Sequence, residues 1–205
     1  EDTWKLLNPM MRLLMSQPYI NHARHWSRWA KSNWRSGGFR KHRAYVHTRP
    51  LAISHLVDLA VHGVGIVAPK AENVLSDRPW LVGVTPSPAT AGRIVINRTP
   101  RYNNPGFDWS EVVKLYGDRL IFIGARHEWT AFCRSCGFVE YLATFDMLDA
   151  AEAIAGSEMF IGNQSSCYAL AEGLKKRRVL EVGIVQPDCI YPKGRGVTYS
   201  HDGSM

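Results

Sequence analysis

The second half of this 205-residue chain alternates short apolar runs with amphipathic stretches, and this alternation constrains the fold more than any other feature. Five runs have the length and the β-branched or aromatic content of buried strands: 94–96, 120–124, 139–142, 159–162 and 179–182. Buried strands that alternate with helices predict right-handed βαβ units and a parallel sheet covered on both faces. We therefore predict an α/β, Rossmann-like, doubly wound domain over residues 93–192.

The stretches between these runs carry start and stop signals of helices. Asp108 precedes apolar residues at helical spacing, Glu111 stands three residues later as in a capping box, and Gly117 follows as a stop. Asp146 precedes a second such pattern. These signals predict four helices within the domain: 109–116, 127–135, 147–155 and 167–174.

The chain before residue 93 is less regular. Helical patterns cover 4–16 and 52–62, and 79–84 has the composition of a short strand. Residues 86–92 contain two prolines and small side chains, which is linker composition. We therefore divide the chain into a basic region (1–85), a linker (86–92), the α/β domain and a C-terminal tail (193–205).

Positive charge is concentrated at one end of the chain. Lys and Arg total 25 and Asp and Glu total 18, a net charge of +7, and no acidic residue occurs between Asp2 and Asp58. Residues 24–49 interleave eight Lys or Arg with five aromatic side chains. This asymmetry indicates an anionic partner for that end: nucleic acid, membrane headgroups or a phosphorylated ligand.

Ligands of doubly wound sheets bind outside the carboxyl ends of the strands, so the loops there hold the candidate site. The loop after the first strand carries Arg98, Thr99 and Arg101, and the planar guanidinium of Arg is suited to phosphate. After the second strand, Gly124 allows close approach to a ligand. Glu128 follows it and either caps the next helix or binds a hydroxyl.

The loop after the fourth strand is the sharpest feature of the sequence. Gly162 is followed by small or polar side chains that lead into a helical pattern: Asn163, Gln164, Ser165 and Ser166. The start of a helix presents free N–H groups and partial positive charge, which favour phosphate. The loop lacks the lysine of a Walker motif and does not match GxGxxG. We interpret it as a phosphate-binding turn; plain capping by one serine is the alternative.

Other chemistry has little support in the sequence. There is no GxSxG or HExxH motif. Cys133 and Cys136 form a lone CxxC without the second pair of ligands that zinc needs, so we expect two small residues on a helix and no metal site. No run approaches the ~18 apolar residues of a membrane-spanning helix. We expect a cytoplasmic protein, with a peripheral membrane contact through 24–49.

Three segments, in this order and spacing, resemble glycosyltransferase family 9, the ADP-heptose:lipopolysaccharide heptosyltransferase-like proteins. They are 93–102, then 120–124 with Glu128, then 160–166 with 170–174. The family loop usually runs Gly-Asn-Asp-Ser-Gly-Pro-x-His. Here Gln164 replaces the Asp and Ser166 the Gly, and Cys167 and Ala169 replace the Pro and the His. Residues 1–78 resemble only the tail of that family's N-terminal lobe.

The resemblance implies the C-terminal, donor-binding lobe of a GT-B glycosyltransferase with a partial N-terminal region. It implies a nucleotide-sugar donor, a glycan or lipid-linked acceptor such as lipopolysaccharide, and transfer of the sugar without metal or other cofactor. Arg98 and Arg101 would stabilise the departing diphosphate, and Ser165 and Ser166 would hold its oxygens. Gly124 would give room for the base or ribose, and Glu128 or Glu172 would contact a hydroxyl. The family's catalytic base lies in the N-terminal lobe, so the catalytic residue is unknown.

Two other functions remain open at this point. One is a nucleotide-binding module without catalysis, since half of a two-lobed cleft can bind a ligand and do nothing more. The other is single-stranded nucleic-acid binding through 24–49, where basic and aromatic side chains suit a backbone and its bases. Nucleic acid is the partner that we expect least.

Overall fold

The computed structural model describes residues 10–21 and 78–183, and the backbone of 197–200. In these residues six strands form one sheet in the order β3-β2-β1-β4-β5-β6, and all five neighbouring pairs are parallel. The strands are β1 (Ile94–Asn97), β2 (Leu120–Phe122), β3 (Glu140–Tyr141), β4 (Met159–Asn163), β5 (Arg178–Glu181) and β6 (Val197–Ser200). The predicted doubly wound parallel sheet is confirmed, and its order is that of dinucleotide-binding Rossmann domains.

The described helices are α1 (Met11–Ser16), α2 (Trp109–Tyr116), α3 (Arg126–Cys136), α4 (Met147–Gly156) and α5 (Ser166–Gly173). The last four are the predicted helices within one residue of their expected bounds. Two of them begin at the predicted caps. Asp108 accepts hydrogen bonds from the N–H groups of Ser110 and Glu111, and Asp146 accepts from those of Leu148 and Asp149. Each cap binds two N–H groups that the helix itself leaves without a partner.

The core consists of two apolar layers, one on each face of the sheet. In β1, Val95 belongs to the layer under α1, α4 and α5, whereas Ile94 and Ile96 belong to the layer under α2 and α3. Successive strand residues point to opposite faces, so one short strand contributes to both layers. All three of these side chains are at most 1% exposed.

None of the described helices is long and apolar enough to span a bilayer.

The segments before β1 are packed on the domain. Residues 79–84 are not a strand, which corrects the prediction; the N–H groups of Trp80 and Leu81 instead donate to the Gly173 carbonyl at the end of α5. The N–H of Val82 donates to the Gln17 side chain. Leu13 of α1 is 2% exposed in the same apolar layer. The apolar core therefore includes segments that precede residue 93.

The stretch with linker composition also contacts the domain. Its residues Pro88–Thr90 form a 3₁₀ turn, and the Thr90 hydroxyl donates to the Ala153 carbonyl of α4 at 2.8 Å. A Cβ at Gly156 would lie 2.1 Å from the Ser87 carbonyl oxygen, so only glycine permits this approach. The predicted helix at 52–62, the basic stretch 24–49 and most of the tail lie outside the described residues.

Candidate functional site

The sheet changes winding direction between β1 and β4, and a cavity of about 340 Å³ opens at their carboxyl ends. Strands β2 and β3 lie to one side of this point, and β5 and β6 lie to the other. In open α/β sheets this switch point is where ligands bind. The volume falls in the ordinary range of small-molecule sites. Six of the predicted site residues line this cavity: Thr99, Arg101, Gly124, Glu128, Ser165 and Ser166.

Helix α5 begins in the wall of this cavity. Ser165 is its N-cap: the Ser165 Oγ accepts from the Tyr168 N–H at 3.4 Å and donates to Asn97 Oδ1 at 2.9 Å. Ser166 is exposed and its hydroxyl points to no partner among the described residues. Ser165 therefore fixes the turn, while Ser166 and the first N–H groups of α5 remain available to an anion.

Asn97 holds the loops after β1, β2 and β4 together. Its buried side chain donates from Nδ2 to the Ile123 carbonyl at 2.9 Å, and its Oδ1 accepts from Ser165. Gly124 has φ +125°, and a Cβ there would lie 2.6 Å from Asn97 Nδ2. Asn97 was not among the site residues predicted from the sequence. The available signal was a polar residue directly after three buried apolar ones on a central strand.

Asn163 shapes the loop that carries the predicted phosphate ligands. Its buried Nδ2 donates to the carbonyls of Thr99 at 3.0 Å and of Arg101 at 2.6 Å. Its Oδ1 accepts from the Thr99 N–H at 3.1 Å. The side-chain amide of Asn163 thus hydrogen-bonds to the backbone of residues 99–101, as a neighbouring strand would, and fixes its conformation. Asn163 is a support for the site and is not among the side chains that line the cavity.

Gly162 and Gln164 have supporting positions as well. A Cβ at Gly162 would lie 2.7 Å from the Asn97 carbonyl oxygen, so glycine allows β1 and β4 to approach closely. Gln164 Oε1 accepts from the Gly183 N–H at 2.8 Å, which ties the β4 loop to the end of β5. Both residues lie beside the cavity without lining it.

The two predicted arginines have different surroundings. Arg98 donates from Nε and Nη2 to the two carboxylate oxygens of Glu181, each at 3.1 Å. Glu181 is fully buried and also accepts from the Asn104 N–H and the Trp109 indole, at 2.7 and 2.8 Å. The guanidinium of Arg101, by contrast, is exposed at the cavity and lies 5.6 Å from the Tyr102 ring. Within the part of the chain that the structure describes, Arg101 has no ion pair and is available to a phosphate, whereas Arg98 stabilises its loop.

The two predicted glutamates also differ. Glu128 lines the cavity, and its Oε2 accepts from the Ala125 N–H at 3.1 Å, so this carboxylate caps α3. Glu172 lies at the opposite end of α5 from the cavity. It is fully buried and its carboxylate binds Lys175 and Arg178. A carboxylate enclosed in this way has no surface to offer a ligand hydroxyl.

Further lining residues were not predicted from the sequence. The turn before α4 contributes Phe145 and Asp146, and α5 contributes Cys167. Burial, followed by the nearby charge of Glu128, raises the pKa of the Cys167 thiol to about 12. Cys167 is therefore a neutral, apolar wall residue at physiological pH and not a nucleophile.

A second cavity of about 200 Å³ lies between the β1 loop and α3. Thr99 and Glu128 line both cavities, and His127 and Phe132 line only the second. Within the described residues no group of three or more His, Cys, Asp or Glu is arranged to hold a metal ion. Cys133 and Cys136 are free thiols on α3, as the helix prediction for this pair expected.

No protein-family model and no curated protein matches the sequence. Among solved structures, the E. coli heptosyltransferase WaaC with ADP is similar, with 19% identity and a TM-score of 0.48 over 76% of this chain and 53% of that chain. The E. coli ADP-heptose lps heptosyltransferase II is similar with 16% identity and a TM-score of 0.40, over 65% and 44%. The chain thus spans about half the length of these structures.

Proposed function

We propose that this chain binds the diphosphate of a nucleotide-sugar in the cavity at the β1–β4 switch point. The observation that carries the proposal is the convergence of three features on one cavity: the start of α5, the Ser166 hydroxyl, and the guanidinium of Arg101, which has no ion pair among the described residues. Each of these groups donates hydrogen bonds or contributes positive charge, and each favours phosphate. Thr99 Oγ1 and the backbone of its loop complete the wall.

The proposed bound diphosphate lies against the start of α5, with Ser166 and Arg101 on its oxygens. When a sugar leaves its donor, negative charge develops on this diphosphate. Donors fixed in place before the reaction stabilise that charge without reorganising. The proposed activity is therefore transfer of the sugar to a glycan or lipid-linked acceptor, as the family resemblance implies.

The base and ribose occupy the part of the cavity next to Gly124 and Phe145 in this proposal. Gly124 lines the cavity close to the end of β2, and Phe145, which is exposed, presents an aromatic ring there. Arg98, Asn163 and Gln164 support the loops, and the proposed contact set leaves out Glu172 because its carboxylate is enclosed by Lys175 and Arg178.

The test is binding of ADP, GDP, UDP, CMP and their sugars to the chain without added metal, followed by thermal shift and calorimetry. A ligand that binds only the folded chain raises its melting temperature. We expect one nucleoside diphosphate to bind selectively. Ser166→Ala should lower its affinity by about tenfold, because the variant loses one hydrogen bond to a charged group.

Ser166→Asp makes the test sharper. A carboxylate in the first turn of α5 stabilises the helix, but it occupies the anion site and repels a phosphate from it. Binding of the nucleoside diphosphate should therefore vanish, while the melting temperature of the chain is kept or raised. The matched control is Ser110→Asp in the first turn of α2, which is exposed and does not line the cavity. Equal binding by wild type and Ser166→Asp would refute the site.

Transfer is measured separately, as release of the nucleoside diphosphate from a bound donor in the presence of glycan or lipid-linked acceptors. Release that depends on acceptor supports a glycosyltransferase. Binding without any release supports a nucleotide-binding module without catalysis.

A further inference from the structure

The cavity proposed for a diphosphate is lined by two carboxylates. Asp146 and Glu128 both lie in its wall, whereas Arg101 is the one positively charged side chain that lines it among the described residues. Two carboxylates repel a bound diphosphate, and within a partly enclosed cavity this repulsion exceeds its value in bulk water. A further positive charge close to one of these carboxylates would offset the repulsion.

Arg12 supplies that charge from a distant part of the sequence. Its Nη1 lies 2.7 Å from Asp146 Oδ2 and 2.8 Å from Asp149 Oδ1, across 134 and 137 residues of chain. These two carboxylates raise the pKa of Arg12 above its ordinary value, first through the hydrogen bond to Asp149 and then through that to Asp146.

The helix that carries Arg12 is fixed on the domain. Met11 and Leu13 of α1 are buried, and Gln17 just beyond it binds the N–H of Val82 at 2.9 Å. The carboxylates are fixed as well. Asp146 Oδ1 caps α4, and Asp149 Oδ2 accepts from the Phe145 N–H at 3.0 Å. Arg12 thus binds two groups that shape the 145–149 turn at the cavity rim.

We propose that Arg12 is a positioning residue for the phosphate site: it neutralises Asp146 and Asp149 and holds the 145–149 turn, so that the cavity accepts a diphosphate. This inference rests on the proposed function. It makes a segment that precedes the α/β domain by some 80 residues part of the ligand site, although Arg12 itself does not line the cavity.

The experiment measures affinities of the full chain for ADP, GDP, UDP and inorganic pyrophosphate, by calorimetry at low and at physiological salt. Because the Arg12 side chain is 54% exposed, its effect is moderated by solvent, and we expect Arg12→Gln to weaken binding by about three- to tenfold. Added salt should reduce the difference. Arg12→Lys keeps the charge and should keep most of the affinity.

The matched control is Arg119→Gln. Arg119 is 50% exposed and pairs with Glu158, so the variant removes the same charge from a similar ion pair. Both residues stand directly before strands β2 and β4, at the amino edge of the sheet and opposite the cavity. The affinity of Arg119→Gln for the four probes should equal that of wild type.

Rescue separates compensation of charge from mere packing of α1. Asn is as good an N-cap as Asp, so Arg12→Gln/Asp146→Asn removes the uncompensated carboxylate that lines the cavity and leaves only that of Asp149, which does not line it. This double variant should restore affinity to within about twofold of wild type by the same electrostatic reasoning. This inference alone is overturned if the wild-type chain binds a probe and Arg12→Gln binds it with the same affinity. It is also overturned if the double variant binds as weakly as Arg12→Gln. A wild-type chain that binds none of the four probes overturns the proposed function and this inference with it.

Discussion

Arg98 and Arg101 stand three residues apart in one loop, yet replacing each by alanine should affect a different property of the chain. Arg98→Ala removes the paired donor from Glu181, a carboxylate with no exposed surface. Arg101→Ala removes an exposed guanidinium whose one described contact, besides the cavity, is the Tyr102 ring. The first should therefore reduce stability, and the second should reduce phosphate binding.

The magnitude for Arg98 follows from its burial. Removing one partner of a buried ion pair costs about 3–5 kcal/mol. The Arg98 side chain is 23% exposed, so water replaces part of the lost interaction and we expect a loss of about 2–4 kcal/mol. For a chain of this length that corresponds to a melting temperature lower by about 5–15 °C. Glu181 keeps its bonds from Asn104 and Trp109, which limits the loss.

The magnitude for Arg101 is a difference in affinity. One charge-assisted hydrogen bond to phosphate contributes about 1.5–3 kcal/mol, or about ten- to hundredfold in the dissociation constant. An exposed substitution of this kind changes stability by no more than about 0.5 kcal/mol, so the melting temperature should remain within about 2 °C of wild type.

The assay is thermal unfolding together with calorimetric titration of the selected nucleoside diphosphate, at a temperature where all variants are folded. Arg98→Ala/Glu181→Gln tests the cause, because the neutral amide leaves no buried charge without a partner. The Asn104 N–H and the Trp109 indole bind different oxygens of Glu181, and the single amide oxygen of glutamine accepts only one of them, so the double variant should recover part of the lost stability. If Arg98→Ala melts like wild type and loses binding, Arg98 is the phosphate ligand and our reasoning from the ion pair is refuted.

Three further predictions concern single side chains of the cavity. Gly124→Ala should destabilise the chain by about 1–3 kcal/mol in thermal unfolding, because of its positive φ and because the new Cβ meets the Asn97 side chain; a wild-type melting curve would contradict this. Phe145→Ala should weaken nucleoside diphosphates without changing inorganic pyrophosphate, whereas Phe138→Ala, also exposed but outside the cavity, should change neither; parallel titrations decide. Cys167 should resist alkylation at pH 8, because burial raises the pKa of its thiol in the folded chain from an ordinary 9.0 to about 12. The contribution of this thiol to stability is therefore complete below about pH 9 and is lost as the pH rises towards 12. Rapid labelling of this thiol in the folded chain would show that it is not buried as described.

The fold was predictable because its signals are local. Each buried strand and each helix cap, such as Asp108 or Asp146, is recognised from its immediate sequence neighbours, so the sequence contained the alternation that defines the sheet. The run at 79–84 was predicted wrongly. It is apolar because Leu81 packs under α5, and its N–H groups bind the end of that helix instead of a strand.

The meeting of three loops at one cavity was predictable from the sequence, but the partners of their side chains were not. The loops after β1, β2 and β4 were identified by their position at the carboxyl ends of strands, and they do meet at one cavity. Which arginine is free depends on Glu181, 83 residues from Arg98. Which glutamate is enclosed depends on Arg178. Such pairings arise from tertiary contacts that no local pattern records.

Strand β3 has only two residues, and it forms one edge of the sheet. Its exposed Glu140 forms an ion pair with Arg93 at 2.7 Å. An edge this short offers another chain few free backbone groups, and a charge on it disfavours the apolar contact that β-pairing between molecules requires. At this edge the domain is therefore protected against self-association into extended sheets, and lengthening β3 with neutral, β-branched residues would create the aggregation hazard that the native edge avoids.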